Sequence, residues 1–183
     1  PQFAEDEAAE SGIALSEDEA ISVMVNEEDH LRLQVLLPAL QLKEAWSMAS
    51  QVDDLLESKL DYAFDEQYGY LTCCPTNVGT GLRASVMMHL PAIAMTNQAN
   101  RFFMSLSKLG FTVRGLYGEG TQAKGNLFQI SNQVTLGHSE EEIIANLGSV
   151  CIQIIEQEEQ MRDKLRKDGL ARLEDLVFRS YGI

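Results

Sequence analysis

The sequence has few cysteines, and their positions exclude two common kinds of protein. The three cysteines are an odd number and Cys73 and Cys74 are adjacent, so we do not expect a disulfide framework and we favour a reducing compartment. No CxxC pair and no spacing of cysteine with histidine is typical of a zinc site. Long apolar runs are also lacking, since none approaches the roughly 20 residues of a transmembrane helix. A membrane protein is therefore not predicted.

Basic residues are the second shortage. The sequence contains 14 lysines and arginines but 28 aspartates and glutamates, which gives a formal net charge of −14. A surface of this charge repels nucleic acid and anionic membranes at long range, and we expect neither as a partner. The charge would suit a cationic substrate, but solubility alone also accounts for it.

The N-terminal residues are acidic and rich in alanine, and they lack the basic start and apolar stretch of a signal peptide. The chain begins with Pro1 rather than methionine. We therefore interpret residues 1–18 as an acidic tail or a cut end, and residues 19–183 as one domain from a longer protein. A length of 183 residues suffices for one sizeable core.

Hydrophobic periodicity predicts an α+β fold. Apolar residues that alternate with polar ones predict strands at residues 21–25, 31–37, 69–72, 83–90, 111–116 and 127–135. Apolar residues at spacings of three and four predict helices at residues 41–64 and 97–109, from Ser139 past Ile155, and at residues 172–178. Ser139 and Glu142 form a capping box, and Gly110 should end the second helix. We expect a largely antiparallel sheet flanked by helices on one side.

The inward stripes of the helices are also predicted. We expect Leu55 to face inward on the first helix, and Cys151 and Ile155 to do so on the third.

Three polar segments interrupt this pattern, all at strand ends or in loops. They are Asn26–Arg32 (NEEDHLR), Cys74–Arg83 (CPTNVGTGLR) and Arg114–Gly120 (RGLYGEG). Each has an ordinary explanation: a charged hairpin turn is usually solvated, a cysteine at a strand end is usually a small buried hydrophobe, and a lone glycine-rich loop is weak evidence for phosphate binding. Taken singly, the segments leave the function open.

The strand after the second segment has two different faces. Its core face is predicted to hold Ala84, Val86, Met88 and Leu90. Its other face is mixed and polar, with Arg83, Ser85, Met87 and His89. That second face could line a cleft for an anion and a flat group, or it could face solvent, and the pattern allows both.

The three segments together resemble those of the ATP:guanido phosphotransferases, the family of creatine and arginine kinases. They occur in that family's order and with similar spacing, over about residues 20–135. Within the family, the segments Cys73–Pro75, Leu60–Glu66 and Arg83–Met87 are most similar to the bacterial branch that phosphorylates arginine in proteins. The resemblance implies the guanido kinase catalytic domain as the fold.

The resemblance implies transfer of the γ-phosphoryl group of ATP to arginine side chains of proteins, in the bacterial cytoplasm. Glu28 and Glu119 correspond to the two carboxylates that orient the guanidinium and remove its proton, and Cys74 to a thiolate that adds a third negative contact. By the same resemblance, the nucleotide site consists of Arg32, Arg83, Ala84, Ser85, Val86, Met87, Arg114, Gly115, Leu116, Tyr117 and Gly118. Magnesium should be held by the ATP phosphates and water, without a metal site of its own in the protein.

The chain departs from the metabolic members of the family at several points. Met87 stands where those enzymes commonly have a histidine that packs on adenine, and Gly120–Ala123 lacks their histidine and acidic residue. This fits a more open site for an arginine carried by a protein. A basic N-terminal segment that supplies further phosphate-binding arginines in the family is not part of this sequence.

Partners and alternatives follow from the same resemblance. It implies arginine-bearing protein substrates, a heat-shock repressor and the Clp protease machinery as partners, hence a link to the stress response and regulated proteolysis; a homo-oligomer is left open. The alternatives are a kinase for free arginine or another small guanidino compound, and a non-catalytic module that binds arginine or phosphoarginine. Cys74 is expected to be the reactive thiol, and Cys151, on the apolar stripe of a helix, to be inert.

Overall fold

The computed structural model describes residues 11–95, 99–115 and 124–182. In chain order its strands and helices are β1 (Gly12–Leu15), β2 (Ile21–Glu27), β3 (Asp29–Val35), α1 (Leu42–Glu57), β4 (Phe64–Asp65), β5 (Gly69–Tyr70), β6 (Ser85–His89), α2 (Pro91–Ala94), α3 (Ala99–Lys108), β7 (Phe111–Gly115), β8 (Leu127–Asn132), α4 (Glu140–Asp168) and α5 (Leu170–Tyr181). None of the helices described combines the length and the apolarity that a membrane span requires.

All strand pairs in this part of the chain are antiparallel, which confirms the α+β prediction. The strands are distributed over three sheets, in the orders β1-β2-β3, β4-β5 and β6-β8-β7. The chain divides into two compact units, Pro1–Ala84 with Val134–Ile144, and Ser85–Gln133 with Ala145–Ile183.

The first unit is built on the β2–β3 hairpin. Ile21 lies opposite Val35, and α1 packs against β3. Strand β1 extends the sheet by pairing with β2. Gly12–Leu15 lie within the predicted acidic tail, but they form a strand because pairing satisfies the backbone groups along the open edge of β2.

Helix α1 is shorter than predicted. It ends at Glu57, and the N–H groups of Ser58 and Lys59 donate to the carbonyl oxygens of Asp54 and Leu56 in a tightened last turn. The residues beyond it form β4, which was not predicted. Leu55 was expected to face inward but is exposed.

The second unit has a continuous apolar core. The β6-β8-β7 sheet buries Met88, Phe111, Val113, Phe128 and Ile130 on one face. Helix α3 packs on β7, and the ring centroids of Phe103 and Phe128 are 4.7 Å apart. The predicted core face of β6 is confirmed.

Two predicted helix boundaries are confirmed by their hydrogen bonds or dihedral angles. The backbone N–H of Ser139 donates to Glu142 Oε2 at 3.1 Å, and the N–H of Glu142 donates to Ser139 Oγ at 3.2 Å. This reciprocal capping box begins α4. Gly110, with a φ of +83°, takes the left-handed conformation that follows a helix end. On α4, Cys151 is buried as predicted, whereas Ile155 is exposed.

A buried carboxylate on α4 was not predicted. Glu158 is only 4% exposed. Its two oxygens accept the N–H groups of Ala92 and Ile93, each at 2.9 Å, and one of them also accepts Nε–H of Arg162 at 2.7 Å. The side chain thereby satisfies the free donors at the start of α2 and joins α2 to α4.

Substituting Glu158 with alanine should destabilise the protein by about 3 kcal/mol, because it leaves two buried N–H donors and a guanidinium without their acceptor. The free energy of unfolding from urea denaturation checks this. The matched control is Glu159→Ala, at an exposed position of the same helix, which should change stability by less than about 0.5 kcal/mol. Equal losses in the two variants would contradict the role given to Glu158.

Candidate functional site

The tip of the β2–β3 hairpin has a strained backbone. Glu27 pairs with Asp29, so the chain reverses at Glu28, whose φ is +64°. Asn26, two residues earlier, also has a positive φ, of +55°. Such conformations are uncommon for residues with a Cβ and cost on the order of 1–3 kcal/mol each. The surrounding contacts therefore have to hold the tip in this shape.

Three charged side chains meet at the tip. Arg32 Nη1 lies 3.5 Å from Glu28 Oε2 and 3.6 Å from Glu27 Oε1. All three side chains are partly exposed, and ion pairs of this kind contribute about 0–1 kcal/mol. Arg32 can therefore exchange Glu28 for another anion at little cost.

The hairpin is joined to the Cys74–Arg83 segment through Asp29. Its Oδ1 accepts the backbone N–H of Cys74 at 3.0 Å, and its Oδ2 accepts a side-chain N–H of Asn77 at 2.7 Å. Partial burial raises the pKa of Asp29, but these two hydrogen bonds, another from Cys73 and the positive charge of Arg32 outweigh it and hold the pKa below 3.8. The carboxylate thus stays ionised and fixes the loop to the hairpin.

The Cys74 thiol is oriented by its own loop. The carbonyl oxygen of Cys74 accepts the Thr72 hydroxyl at 2.6 Å and the N–H of Asn77 at 3.0 Å, which closes a short 3₁₀ turn over Pro75–Asn77. Its Sγ lies 3.0 Å from Thr76 Oγ1. The half-buried thiol is therefore held at the start of the turn.

Two further contacts hold the rest of this loop. Thr135 Oγ1 lies within hydrogen-bond distance of the carbonyl oxygens of Thr76 (3.1 Å) and Val78 (2.7 Å). Gly79 pairs with Tyr70, accepting its N–H at 2.8 Å. Gly79 has a φ of +112°, and a Cβ on it would collide with the Thr135 carbonyl. Only glycine fits this position without a shift of the backbone.

In the second unit, the predicted polar face of β6 continues across its sheet. Met87 lies opposite Gln129, which in turn lies opposite Arg114, so the three side chains form one row. Gln129 Nε2 also donates to the hydroxyl of Ser85, which lies in the next row, at 3.1 Å. Met87 is 56% exposed. An exposed thioether beside amide, hydroxyl and guanidinium groups can take a flat ring with an anionic substituent.

The remaining predicted residues differ in their placement. Arg83 is exposed and Ala84 buried at the end of the first unit; Val86 is half-buried, and Gly115 ends β7. Leu116, Tyr117, Gly118 and Glu119 lie outside the described residues. The structure therefore brings Glu28 and Arg32 together with the Cys74–Arg83 segment, here called the Cys74 loop, in one unit. It aligns Ser85, Met87 and Arg114 on one face of the sheet in the other.

Four residues that organise the site were not assigned roles from the sequence: Asp29, Asn77, Gln129 and Thr135. Aspartate and asparagine commonly bond to nearby backbone and so organise turns, which was the available signal for the first two. Gln129 alternates with apolar neighbours on β8, which marks the polar face. Thr135 gave no sequence signal. Among the described residues, no group of three or more His, Cys, Asp or Glu side chains is arranged to hold a metal ion.

The sequence profile of the ATP:guanido phosphotransferase C-terminal catalytic domain matches residues 1–161. The chain belongs to the ATP:guanido phosphotransferase family. This confirms the resemblance carried by the three polar segments, and the match includes the residues interpreted as a tail.

The curated relatives compared with the chain are protein-arginine kinases. The chain is 64% identical over 177 residues to a protein-arginine kinase of Symbiobacterium thermophilum, covering 97% of this chain and 50% of that protein. It is 59% identical over 172 residues to the protein-arginine kinase of Bacillus subtilis, covering 94% and 47%. The chain thus spans about half the length of the curated relatives it matches.

Solved structures agree on the fold. A taurocyamine kinase from Schistosoma mansoni with bound transition-state analogue components superimposes with a TM-score of 0.75 at 29% identity, covering 87% of this chain and 22% of that one. A lombricine kinase gives a TM-score of 0.74 at 26% identity, covering 84% and 43%. Both are kinases by name.

The cysteines should differ in reactivity towards a thiol reagent under native conditions. Cys151 is fully buried, and burial raises its pKa to about 11, so it should react only after unfolding. Cys74, the first residue of the Cys74–Arg83 segment, should be labelled first. Cys73 is exposed and can also react with the reagent. Mass spectrometry of alkylated peptides, with Cys73→Ser as the matched control for Cys74→Ser, checks the order. Early labelling of Cys151 would refute it.

Asp29→Asn should lower stability by about 1–2 kcal/mol at neutral pH, since an amide cannot accept hydrogen bonds on both of its terminal atoms. Folding lowers the pKa of Asp29 from its ordinary value of 3.8. The stability that the ionised carboxylate contributes is therefore fully present above pH 3.8, and it is lost as the pH falls through the lowered pKa of the folded protein. The stability gap between the two proteins should therefore shrink below about pH 4. Urea denaturation of both proteins at several pH values measures this difference in the free energy of unfolding. A difference that stays constant on acidification would show that the ionised Asp29 carboxylate does not hold the loop to the hairpin.

Proposed function

We propose that the intact protein transfers the γ-phosphoryl group of ATP to the guanidinium groups of arginine side chains in proteins. The observation that carries this proposal is an identity of about 60% with curated protein-arginine kinases along nearly the whole chain. The placement of Glu28 and Arg32 on a hairpin that Asp29 joins to the Cys74 loop supports it, because these segments carry the chemical groups the reaction needs.

The acceptor side requires negative charge. A guanidinium is a poor nucleophile because its lone pairs are delocalised and it is protonated at neutral pH. Glu28 and Glu119 would flank it, align it through charge-assisted hydrogen bonds and take up its proton. The Cys74 thiolate would add a third contact. Strain at Glu28 favours this role, since residues held in uncommon conformations cluster at functional sites.

The donor side requires positive charge and alignment. Arg32, Arg83 and Arg114 would bind the phosphates of ATP with their planar donor forks. The face with Ser85 and Met87 would hold the adenosine end. Mg²⁺, when bound with the nucleotide, neutralises phosphate charge and keeps much of its water shell. Because Arg32 is only weakly tied to Glu28, it can turn to a phosphate without a large energetic cost.

The finer assignments rest on the same family resemblance. We propose arginine-bearing proteins as substrates, a heat-shock repressor and the Clp protease machinery as partners, and a role in the stress response and regulated proteolysis. The bacterial cytoplasm is the proposed location. The catalytic domain is proposed to comprise residues 19–183 together with strand β1, which pairs with β2. Its polar segments would share the residues that bind the acceptor and those that bind the phosphates.

A small guanidino compound is the competing acceptor, because the solved neighbours are kinases named for taurocyamine and lombricine. Those neighbours are 26–29% identical to the chain, whereas the protein-arginine kinases quoted above are 59–64% identical. The experiment is to incubate the intact protein with ATP and either casein or free arginine and to measure acid-labile phosphate. Phosphate on casein supports the proposal, and phosphate on free arginine alone would replace it with the competing function.

Glu28→Gln should reduce the rate of arginine phosphorylation by about 10²–10⁴-fold, the usual contribution of a positioned general base. ATP binding, measured by calorimetry, should remain nearly unchanged, because Glu28 would contact the guanidinium rather than the phosphates. Glu119→Gln should behave alike.

Glu27→Gln is the matched control for Glu28→Gln. It removes one negative charge at nearly the same distance from Arg32, 3.6 Å against 3.5 Å, so it separates the position of the charge from its mere presence. It should retain most of the activity. Comparable losses in the two variants would assign the effect to Arg32 and not to a base at position 28.

A further inference from the structure

A short segment beside the candidate site exposes large apolar side chains. In the β4–β5 segment, defined as Asp61–Leu71, the side chains of Phe64, Tyr68 and Leu71 are 58%, 50% and 50% exposed. Single exposed apolar residues are ordinary, but several within so short a segment mark a surface that contacts another molecule.

The segment is held in shape before any partner arrives. The ring of Phe64 packs against that of Tyr70, with centroids 5.2 Å apart. Asp65 Oδ1 accepts the N–H groups of Gln67 and Tyr68 at 2.8 and 3.0 Å, which fixes the turn. A surface fixed in this way loses little conformational entropy on binding.

The segment runs directly into the candidate site. Leu71 precedes Cys74 by three residues, so their Cα atoms are at most about 11 Å apart. The backbone of Tyr70 pairs with Gly79 of the same loop, and a Cβ on Gly69 would collide with the Gly79 carbonyl. A polypeptide with an arginine at Cys74 would therefore have its neighbouring residues within reach of the β4–β5 segment.

The charge of the segment defines the chemistry of its partner. It contains Asp61, Asp65 and Glu66, and no lysine or arginine occurs from Leu60 to Leu82. Carboxylates attract basic side chains, and exposed aromatic rings accept guanidinium or ammonium groups over their faces. Basic and apolar side chains of an extended chain would therefore be complementary to this surface.

We propose that the β4–β5 segment is the docking surface for the polypeptide substrate and favours target arginines that have basic neighbours. The inference rests on the proposed function and names the substrate class of that same site. These contacts lie outside the reacting atoms, so they should stabilise bound substrate and transition state equally. Their loss should raise KM and leave kcat unchanged.

The test compares the intact protein with the double variant Phe64→Ala/Glu66→Gln on three acceptors: a peptide with one arginine flanked by lysines, the same peptide with glutamates instead, and free arginine. The unaltered protein should prefer the lysine-flanked peptide. The double variant should raise KM for that peptide roughly 10-fold, with kcat within about 2-fold, and leave free arginine unaffected. Phe178→Ala, which removes an equally exposed ring (70%) from α5, is the matched control and should change nothing.

The outcomes separate this inference from the function on which it rests. If the unaltered protein phosphorylates no arginine in any acceptor, the proposed function fails. If it phosphorylates both peptides equally, or the double variant keeps its KM, the docking inference is overturned while the function stands. If light scattering shows that the double variant dissociates a dimer, a second copy of the chain covers the segment, and the docking inference is again overturned.

Discussion

The local arrangement of the proposed acceptor side depends on one carboxylate, that of Asp29. It bonds to Cys74 and Asn77 at 3.0 and 2.7 Å, across 45 and 48 positions of the chain. Hydrogen bonds to charged groups contribute roughly 1.5–3 kcal/mol each. That is enough to offset backbone strain at the adjacent Glu28, which is on the order of 1–3 kcal/mol. The hairpin that carries Glu28 and the loop that carries the Cys74 thiol are thus joined before a substrate binds.

Joining the hairpin to the loop in advance matters for the proposed chemistry. A guanidinium must be aligned and deprotonated while a phosphoryl group approaches it, and misplacement by even an ångström is costly to the rate. Thr135 and Gly79 extend the same constraint through the loop, because the Thr135 hydroxyl and the close backbone approach at Gly79 leave few other conformations. By contrast, the partly exposed Arg32–Glu28 pair is weak, so the Arg32 side chain can turn towards a phosphate while the hairpin and the loop stay joined through Asp29.

Local patterns in the sequence predicted much of this fold. Alternation predicted β2, β3 and the two faces of β6, and the Ser139–Glu142 capping box predicted the start of α4. Two of the errors are non-local. Strand β1 exists because the edge of β2 is available for pairing, and Glu158 is buried because it caps a helix 66 positions earlier in the chain. In the site, the segments and their charges were predictable, whereas the partners of Asp29 were not, since no periodicity encodes a contact between distant loops.

The most direct test of this account is a double-mutant cycle between Glu28→Gln and Asp29→Asn, with kcat/KM for arginine phosphorylation as the readout. If Asp29 acts by positioning Glu28 and the Cys74 loop, the double variant should lose far less than the product of the two single losses, because a displaced Glu28 has little further activity to lose. A double loss equal to that product would show that the two residues act independently, and would contradict the account.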